Sequence, residues 1–232
     1  MPRHHRDVLR GYVERAAREL DGADALDILK WADTVLDGRL VIATSMQDAV
    51  VIDLAARVRP GMDVVFIDTG YHFAETIGMH AAVASTYDVR VLTVSPGQTV
   101  EEQDATHGKD LFGRNPDLCC HLRKVVPLNT MLQLYDGWVT GLRRAESESR
   151  ADAQPVEWDE RREMVKVNPI VAWSDEEVAA YIEERGVLVN PLRSEGYPSI
   201  GCAPCTAKPA SGDDPRAGRW AGTDKRECGI HL

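Results

Sequence analysis

The sequence contains no apolar run near the ~18 residues that a membrane-spanning helix needs. No apolar stretch of signal-peptide type follows the charged opening Met1-Pro2-Arg3-His4-His5-Arg6-Asp7. Internal repeats and low-complexity tracts are absent as well. Together these absences predict a cytoplasmic protein with no membrane contact. Positive charge is scarce: 27 Lys and Arg stand against 37 Asp and Glu, giving a net charge of -10 and a pI near 5.2. A surface of that sign repels phosphate backbones and argues against a general nucleic-acid binder, though not against a local basic pocket. Global disorder is excluded too. Hydrophobic residues make up 44% of the 232 positions and charged residues 28%, proportions ordinary for a chain that buries a core. No cysteine occurs before position 119. The five that follow, at 119, 120, 202, 205 and 228, are odd in number in a chain expected to be cytosolic, so reduced thiols are predicted rather than a disulfide framework.

Hydrophobic spacing organises what is present. Leu9, Val13, Ala16, Ala17 and Leu20 recur at helical intervals over residues 5–20. Leu26, Leu29, Trp31, Val35 and Leu36 repeat the pattern over 24–36, and Gly38 stops it. Apolar runs short enough for buried strands follow at Leu40–Thr44, Val64–Ile67 and Val89–Val94, separated by helical stretches over 49–56 and 73–87. Strands and helices alternating through short turns predict a parallel sheet with crossovers. Trp138–Gly141 reads as a fourth strand, and Val156–Trp158 with Met164–Val167 as a hairpin or edge pair. Ser174 and Glu177 form a capping box that opens a helix over 174–185. Beyond Asn190, Pro, Gly and Ser dominate and periodicity ends.

The expected architecture is therefore a doubly wound, mainly parallel α/β fold. It divides into an N-terminal helical segment over 1–38, an α/β core over 39–189 and an irregular C-terminal segment over 190–232. Ligands of such sheets bind beyond the carboxyl ends of the strands. The turns Ser45–Asp48, Asp68–Tyr71 and Gly141–Arg144 fall there in this reading.

Cys119-Cys120 and Cys202-Ala203-Pro204-Cys205 supply four thiols in two pairs. Cys-x-x-Cys in a tight turn presents two sulfurs to one metal centre. Adjacent cysteines diverge, which strains a small tetrahedral zinc site but suits a [4Fe–4S] cube, where each thiolate has its own iron corner. The pattern favours the cluster, with zinc, a redox dithiol and unligated buried cysteines as the alternatives. Cys228 stands apart in the polar tail Lys225-Arg226-Glu227-Cys228-Gly229-Ile230-His231-Leu232, expected to be mobile. Lys225, Arg226 and His231 favour its thiolate, whereas Asp224 and Glu227 oppose it. A nucleophilic or redox cysteine is one reading and an exposed spectator the other.

Basic residues gather near these cysteines despite the acidic balance. Residues 121–150 carry Arg123, Lys124, Arg143, Arg144 and Arg150 against Asp136, Glu146 and Glu148. Residues 206–232 carry Lys208, Arg216, Arg219, Lys225 and Arg226 against four acids. Such a pocket would focus a small anion, and arginine forks suit phosphate or sulfate oxygens.

With these segments the chain resembles the assimilatory adenylyl-sulfate (APS) reductases of the phosphoadenylyl-sulfate reductase family. The resemblance is carried by Cys119-Cys120-His121-Leu122-Arg123-Lys124, Thr140-Gly141-Leu142-Arg143-Arg144, Cys202-Ala203-Pro204-Cys205 and Glu227-Cys228-Gly229-Ile230-His231. Val64–Gly70 and Val167-Asn168-Pro169-Ile170 fit it too, and it runs from about residue 40 onward. It implies a nucleotide-binding core with the fold of the PP-loop (adenine nucleotide alpha-hydrolase-like) proteins. It also implies reduction of APS to sulfite and AMP through an S-sulfocysteine that thioredoxin then reduces. On that resemblance Cys228 is the nucleophile, and Cys119, Cys120, Cys202 and Cys205 hold a [4Fe–4S] cluster. Lys124, Arg216, Arg219 and His231 match its phosphosulfate-binding positions. Ser45, Gly141 and Arg150 match its nucleotide-binding loops, with Arg143 beside them.

One departure separates the chain from ATP-using PP-loop relatives. The loop Thr44-Ser45-Met46-Gln47-Asp48 has no glycine whose neighbouring amides could cradle pyrophosphate, which argues against ATP hydrolysis. The rival readings are an ATP-dependent tRNA-thiolating enzyme, a reductase of 3′-phospho-APS and a non-catalytic iron–sulfur redox sensor.

Overall fold

A computed structural model describes residues 3–210, 212, 214–225 and 227–230, with the side chains from residue 6 onward. Two helices lead, α1 over Arg3–Glu19 and α2 over Ala25–Val35. The Asp24 side chain caps the second by accepting from the Leu26 amide. Then β1 (Leu40–Thr44), α3 (Val50–Val58), β2 (Met62–Ile67), α4 (Ala74–Thr86) and β3 (Val89–Val94) alternate as the apolar runs predict. The return leg holds α5 (Val100–His107), α6 (Leu111–Arg114), α7 (Pro116–Cys120), a π-helical turn over His121–Val125, and α8 (Val126–Leu132). It is followed by β4 (Gly137–Val139), β5 (Val156–Asp159), β6 (Met164–Val167) and α9 (Asp175–Arg185). Ser174 and Glu177 make the expected capping box on α9.

The six strands lie in the order β3-β2-β1-β4-β6-β5. All neighbours run parallel except the edge pair of β5 and β6. Ile42 in the central strand faces Val64 on one side and Val139 on the other. Its neighbours alternate between two cores. Leu40 and Ile42 pack with Leu9, Ile28, Leu29, Leu54 and Phe66, whereas Val41 packs with Val65, Leu128, Leu132 and Trp138. Helices therefore cover both faces, and residues of 1–38 share a core with the sheet. Each fully buried aliphatic side chain contributes ~1.5–3 kcal/mol by leaving water.

The fourth strand is shorter than Trp138–Gly141. Beyond it the Thr140 N–H still bonds Val167 O at 2.9 Å, while its hydroxyl donates to Asn168 Oδ1 at 2.7 Å and accepts from the Leu142 amide at 3.2 Å. The strand order reverses between β1 and β4, the switch point at which doubly wound folds bind ligands. The segment beyond α9 is irregular but anchored to this end. Asn190 is fully buried, and its amide donates to Met46 O and Thr76 Oγ1, both at 3.1 Å. Met46 itself is held at φ +58, a left-handed conformation uncommon outside glycine. No helix among the described residues is long and apolar enough to cross a membrane.

Candidate active site

The loops after β1, β2 and β4 meet the C-terminal segment around a crevice of about 230 Å³. Ser45, Lys124, Gly141, Arg143, Arg150, Arg216, Arg219 and Cys228 all line it. His231 and Arg226 lie outside the described residues.

A smaller adjoining pocket is lined by Cys119, Cys120, Cys202 and Cys205, and Lys124 and Trp220 face both spaces. All five cysteines are free thiols.

The two thiol pairs are held by different devices. Asn115 caps α7 by accepting from the Leu118 amide, with Pro116 in its first turn, and the helix buries Cys119 and Cys120. The π-helical turn begins immediately after them and carries Arg123 and Lys124. π turns are rare and concentrate at functional sites. Arg123 turns away from the crevice and is spent on structure. It donates to Thr69 O, to Gln103 Oε1 at 3.2 Å and to Gln98 O at 3.3 Å, and lies 5.2 Å over the Tyr71 ring. That clamp fixes the loop after β2, whose Thr69 hydroxyl meets Cys202 Sγ at 3.3 Å.

The second pair sits on a 3-10 turn over Ala203–Cys205. Thr206 Oγ1 donates to Cys202 O at 2.9 Å and accepts from the Gly201 amide, while Ala203 N–H donates to Tyr71 O at 2.7 Å. A Cβ at Gly201 would lie 2.2 Å from Arg219 Nη2, so any larger residue there would force the guanidinium to shift. Arg219 donates to Ser199 Oγ and Ile200 O, and its guanidinium stacks 4.6 Å from the Trp220 ring.

Burial pushes the Cys119 thiol up to about 11, with the sulfurs of Cys202 and Cys205 adding to the rise. Among the described residues no three His, Cys, Asp or Glu side chains converge closely enough to hold one metal ion. An iron–sulfur cube, taking each thiolate on a separate iron, requires no such convergence.

Cys228 lies over the crevice, beside Lys124 and Arg219. Ile230 packs partly buried against the core of Val41, Leu128 and Trp138. A hydrogen bond from the Cys120 thiol draws Cys228 well below the ordinary thiol range; the Lys124 cation, the Ile230 amide and Arg219 add to the effect and burial opposes it. Of the three cations named from the tail sequence, Arg226 and His231 lie outside the described residues. Lys225 is ion-paired with Asp117 and sits 5.5 Å over the Trp220 ring. Burial would lower the Lys124 ammonium, but the surrounding sulfurs of Cys202, Cys228 and Cys120 outweigh it and keep it protonated.

Three of the predicted arginines are already paired with carboxylates. Arg143 donates to Asp175 at 2.7 Å and to Trp173 O, so its fork ties β4 to the start of α9. Arg150 grips Glu227 with two nitrogens at 2.8 and 3.0 Å and Glu146 with the third. Arg216 reaches Glu227 at 3.3 Å.

Sequence reasoning placed the Ser45–Asp48 turn at this end of the sheet and read Glu227 as an opposing charge within the tail motif, but missed Glu146, His72 and Arg193 as lining residues. Burial raises the Asp48 carboxyl, while the Val50 amide and Arg193 resist the shift. Of the missed residues Glu146 carried a readable signal, lying within a few residues of the flagged Arg143 and Arg150.

Residues 39–208 match the phosphoadenosine phosphosulfate reductase domain family. The chain is 57% identical to adenosine 5'-phosphosulfate reductase of Mycolicibacterium smegmatis over 97% of its own length and 95% of that protein's. The corresponding enzyme of Mycobacterium tuberculosis is 55% identical, with 96% and 94% covered. Among solved structures, phosphoadenylyl-sulfate reductase of Candida auris, in a phosphate complex, superposes with a TM-score of 0.73 at 28% identity, covering 85% of this chain and 97% of that one. Candida glabrata FMN adenylyltransferase, at 10% identity and a TM-score of 0.55 over 88% of this chain and 74% of that one, shares the fold alone.

Proposed function

Since the chain belongs to the phosphoadenosine phosphosulfate reductase family and is an oxidoreductase acting on a sulfur-containing substrate, we propose that it reduces adenylyl sulfate to sulfite and AMP. Cys228 is the nucleophile and thioredoxin the reductant in this reading. The observation that carries it is the convergence of Cys228, Lys124, Arg216 and Arg219 on one crevice whose other wall is built from the loops after β1 and β4.

The adenosine part lies between Ser45 and Gly141, at the switch point of the sheet. The phosphosulfate then points toward Lys124, Arg216 and Arg219. Cys228 Sγ attacks the sulfate sulfur; the new S–S bond forms as the S–O bond to the phosphate breaks, and AMP leaves with the electron pair. Two anions approach each other in this step, so fixed cations stabilise the crowded transition state. A thioredoxin thiolate next attacks Cys228 Sγ and expels sulfite. Its second thiol resolves the mixed disulfide, so the dithiol supplies both electrons and Cys228 is regenerated.

Cys119, Cys120, Cys202 and Cys205 suit a [4Fe–4S] cluster: all four are free thiols lining one pocket, and soft sulfur donors select such a group. Bound there, the cluster would lock the two thiol pairs into one unit and set the electrostatic field beside Lys124.

Sulfite release from APS and from 3′-phospho-APS, measured with thioredoxin, tests the reading. Turnover of APS is expected to predominate. Preference for the 3′-phosphorylated substrate would move the chain to the activity named for its Candida auris relative, and turnover of neither would remove the proposal.

A further inference from the structure

Glu227 immediately precedes the proposed nucleophile, and its side chain is 8% exposed. A carboxylate buried to that degree is costly unless its partners hold it well. Arg150 provides a bidentate fork at 2.8 and 3.0 Å, and Arg216 lies at 3.3 Å. The Cys228 backbone N–H donates to the same carboxylate at 3.3 Å.

The fork is itself fixed from behind. Arg150's third nitrogen holds Glu146, whose carboxylate also accepts the Arg143 amide at 3.1 Å. A continuous polar path therefore runs from the loop after β4, through Glu146, Arg150 and Glu227, to the backbone of Cys228. Other tail contacts reach elsewhere: Lys225 pairs with Asp117, Arg161 donates to Gly229 O at 3.4 Å, and Ile230 packs against the core under α8.

We propose that Glu227 is the positioning residue of the catalytic tail, the anchor that registers Cys228 over the crevice against the loop after β4. The inference rests on Cys228 being the nucleophile. Charge matching supports an anchor that stays in place when substrate arrives. Among the described residues six cations line the crevice, Lys124, Arg143, Arg150, Arg193, Arg216 and Arg219, against the carboxylates of Asp48, Glu146 and Glu227 and the Cys228 thiolate, which leaves a surplus of two positive charges. A phosphosulfate anhydride keeps one ionised oxygen on phosphorus and one on sulfur, so it needs two. Glu227 can remain clamped without taking a charge that the substrate requires.

Glu227→Gln and Glu227→Asp in the full chain test the anchor through three readouts. These are hydrogen exchange of the amides over 227–230, AMP affinity by calorimetry, and single-turnover AMP release from APS without thioredoxin. Glu227→Gln is expected to speed exchange of those amides, leave AMP affinity unchanged, and slow AMP release roughly tenfold to a hundredfold, the cost of a slightly misplaced reacting group. Glu227→Asp keeps the charge and is expected to recover part of the rate. Unchanged exchange in Glu227→Gln would overturn the anchor. So would a loss of AMP affinity equal to the loss of rate, since Glu227 would then serve only to orient Arg150 toward nucleotide. If the wild-type chain released no AMP, the reading of Cys228 would fall, while the exchange measurement would still decide the anchor.

Discussion

The thiol pocket and the docked tail occupy one corner of the molecule, yet they treat cysteine in opposite ways. In the pocket, burial followed by neighbouring sulfur raises Cys119, and burial followed by Cys202 raises Cys205. On the tail, burial also opposes ionisation of the half-buried Cys228, but a hydrogen bond from Cys120, the Lys124 cation, the Ile230 amide and Arg219 draw it down. Burial is common to both regions, so burial does not set the difference. The partners that share the burial do: sulfur beside sulfur suits a metal-holding nest, and sulfur beside cations and an amide suits an attacking thiolate.

Substitutions can break or sharpen this contrast. The largest effect is expected for Cys228→Ser, which should abolish both the sulfonate adduct seen by intact mass and sulfite release, because a serine hydroxyl is barely ionised at neutral pH. Its iron content and brown colour should match wild type; their loss would make Cys228 a ligand. Cys202→Ser should do the reverse and lose iron, read by metal analysis and visible absorption. An adduct appearing on Cys202 or Cys205 in the wild type would instead assign that pair to redox chemistry.

Lys124→Ala should lower kcat/KM by roughly tenfold to a hundredfold, or ~1.5–3 kcal/mol for one charge-assisted contact to an oxyanion. Arg10→Ala, on the far helix α1, serves as the comparison, and equal losses would sink the placement. Gly201→Ala should follow, because its Cβ would lie 2.2 Å from Arg219 Nη2 and displace that side chain. Overpacking of this kind costs ~1–3 kcal/mol in a denaturant titration.

The smallest effect concerns pH. Burial raises the Glu227 carboxyl, but Arg150 and Arg216 overcome this and hold it below its ordinary value. Its contribution to tail docking is therefore fully present above the unfolded value of ~4.3 and lost only as pH falls through the lower folded value. Exchange protection over 227–230, corrected for intrinsic rates, should stay flat from neutral to mildly acidic pH. A decline beginning near neutrality would point to another group.

Much of the architecture is legible in the sequence because buried parallel strands read as unbroken apolar runs; Val89–Val94 coincides with β3 residue for residue. Ser174 and Glu177 announce α9 locally. The leg between β3 and β4 is silent for two physical reasons. Gln103 is the buried residue of α5, so that helix has no apolar stripe to read. The π turn then breaks the 3.6-residue period on which such reading depends. Within the site, cysteines and basic residues are conspicuous by type. Their partners are not, because Arg143 with Asp175, Arg150 with Glu227 and Thr140 with Asn168 are contacts between distant residues.

The π turn also acts as a phase shift. An α-helix advances ~100° per residue, so one extra residue in a turn rotates everything before it by about that angle relative to everything after it. Cys119 and Cys120 lie before the turn and line the thiol pocket, whereas Leu128 and Leu132 lie after it and fill the core beneath the sheet. Deleting any single residue from His121–Val125 would let the segment relax into a continuous α-helix. The leucines could then stay in register with the sheet, or the cysteines with their pocket, but one helix could no longer satisfy both.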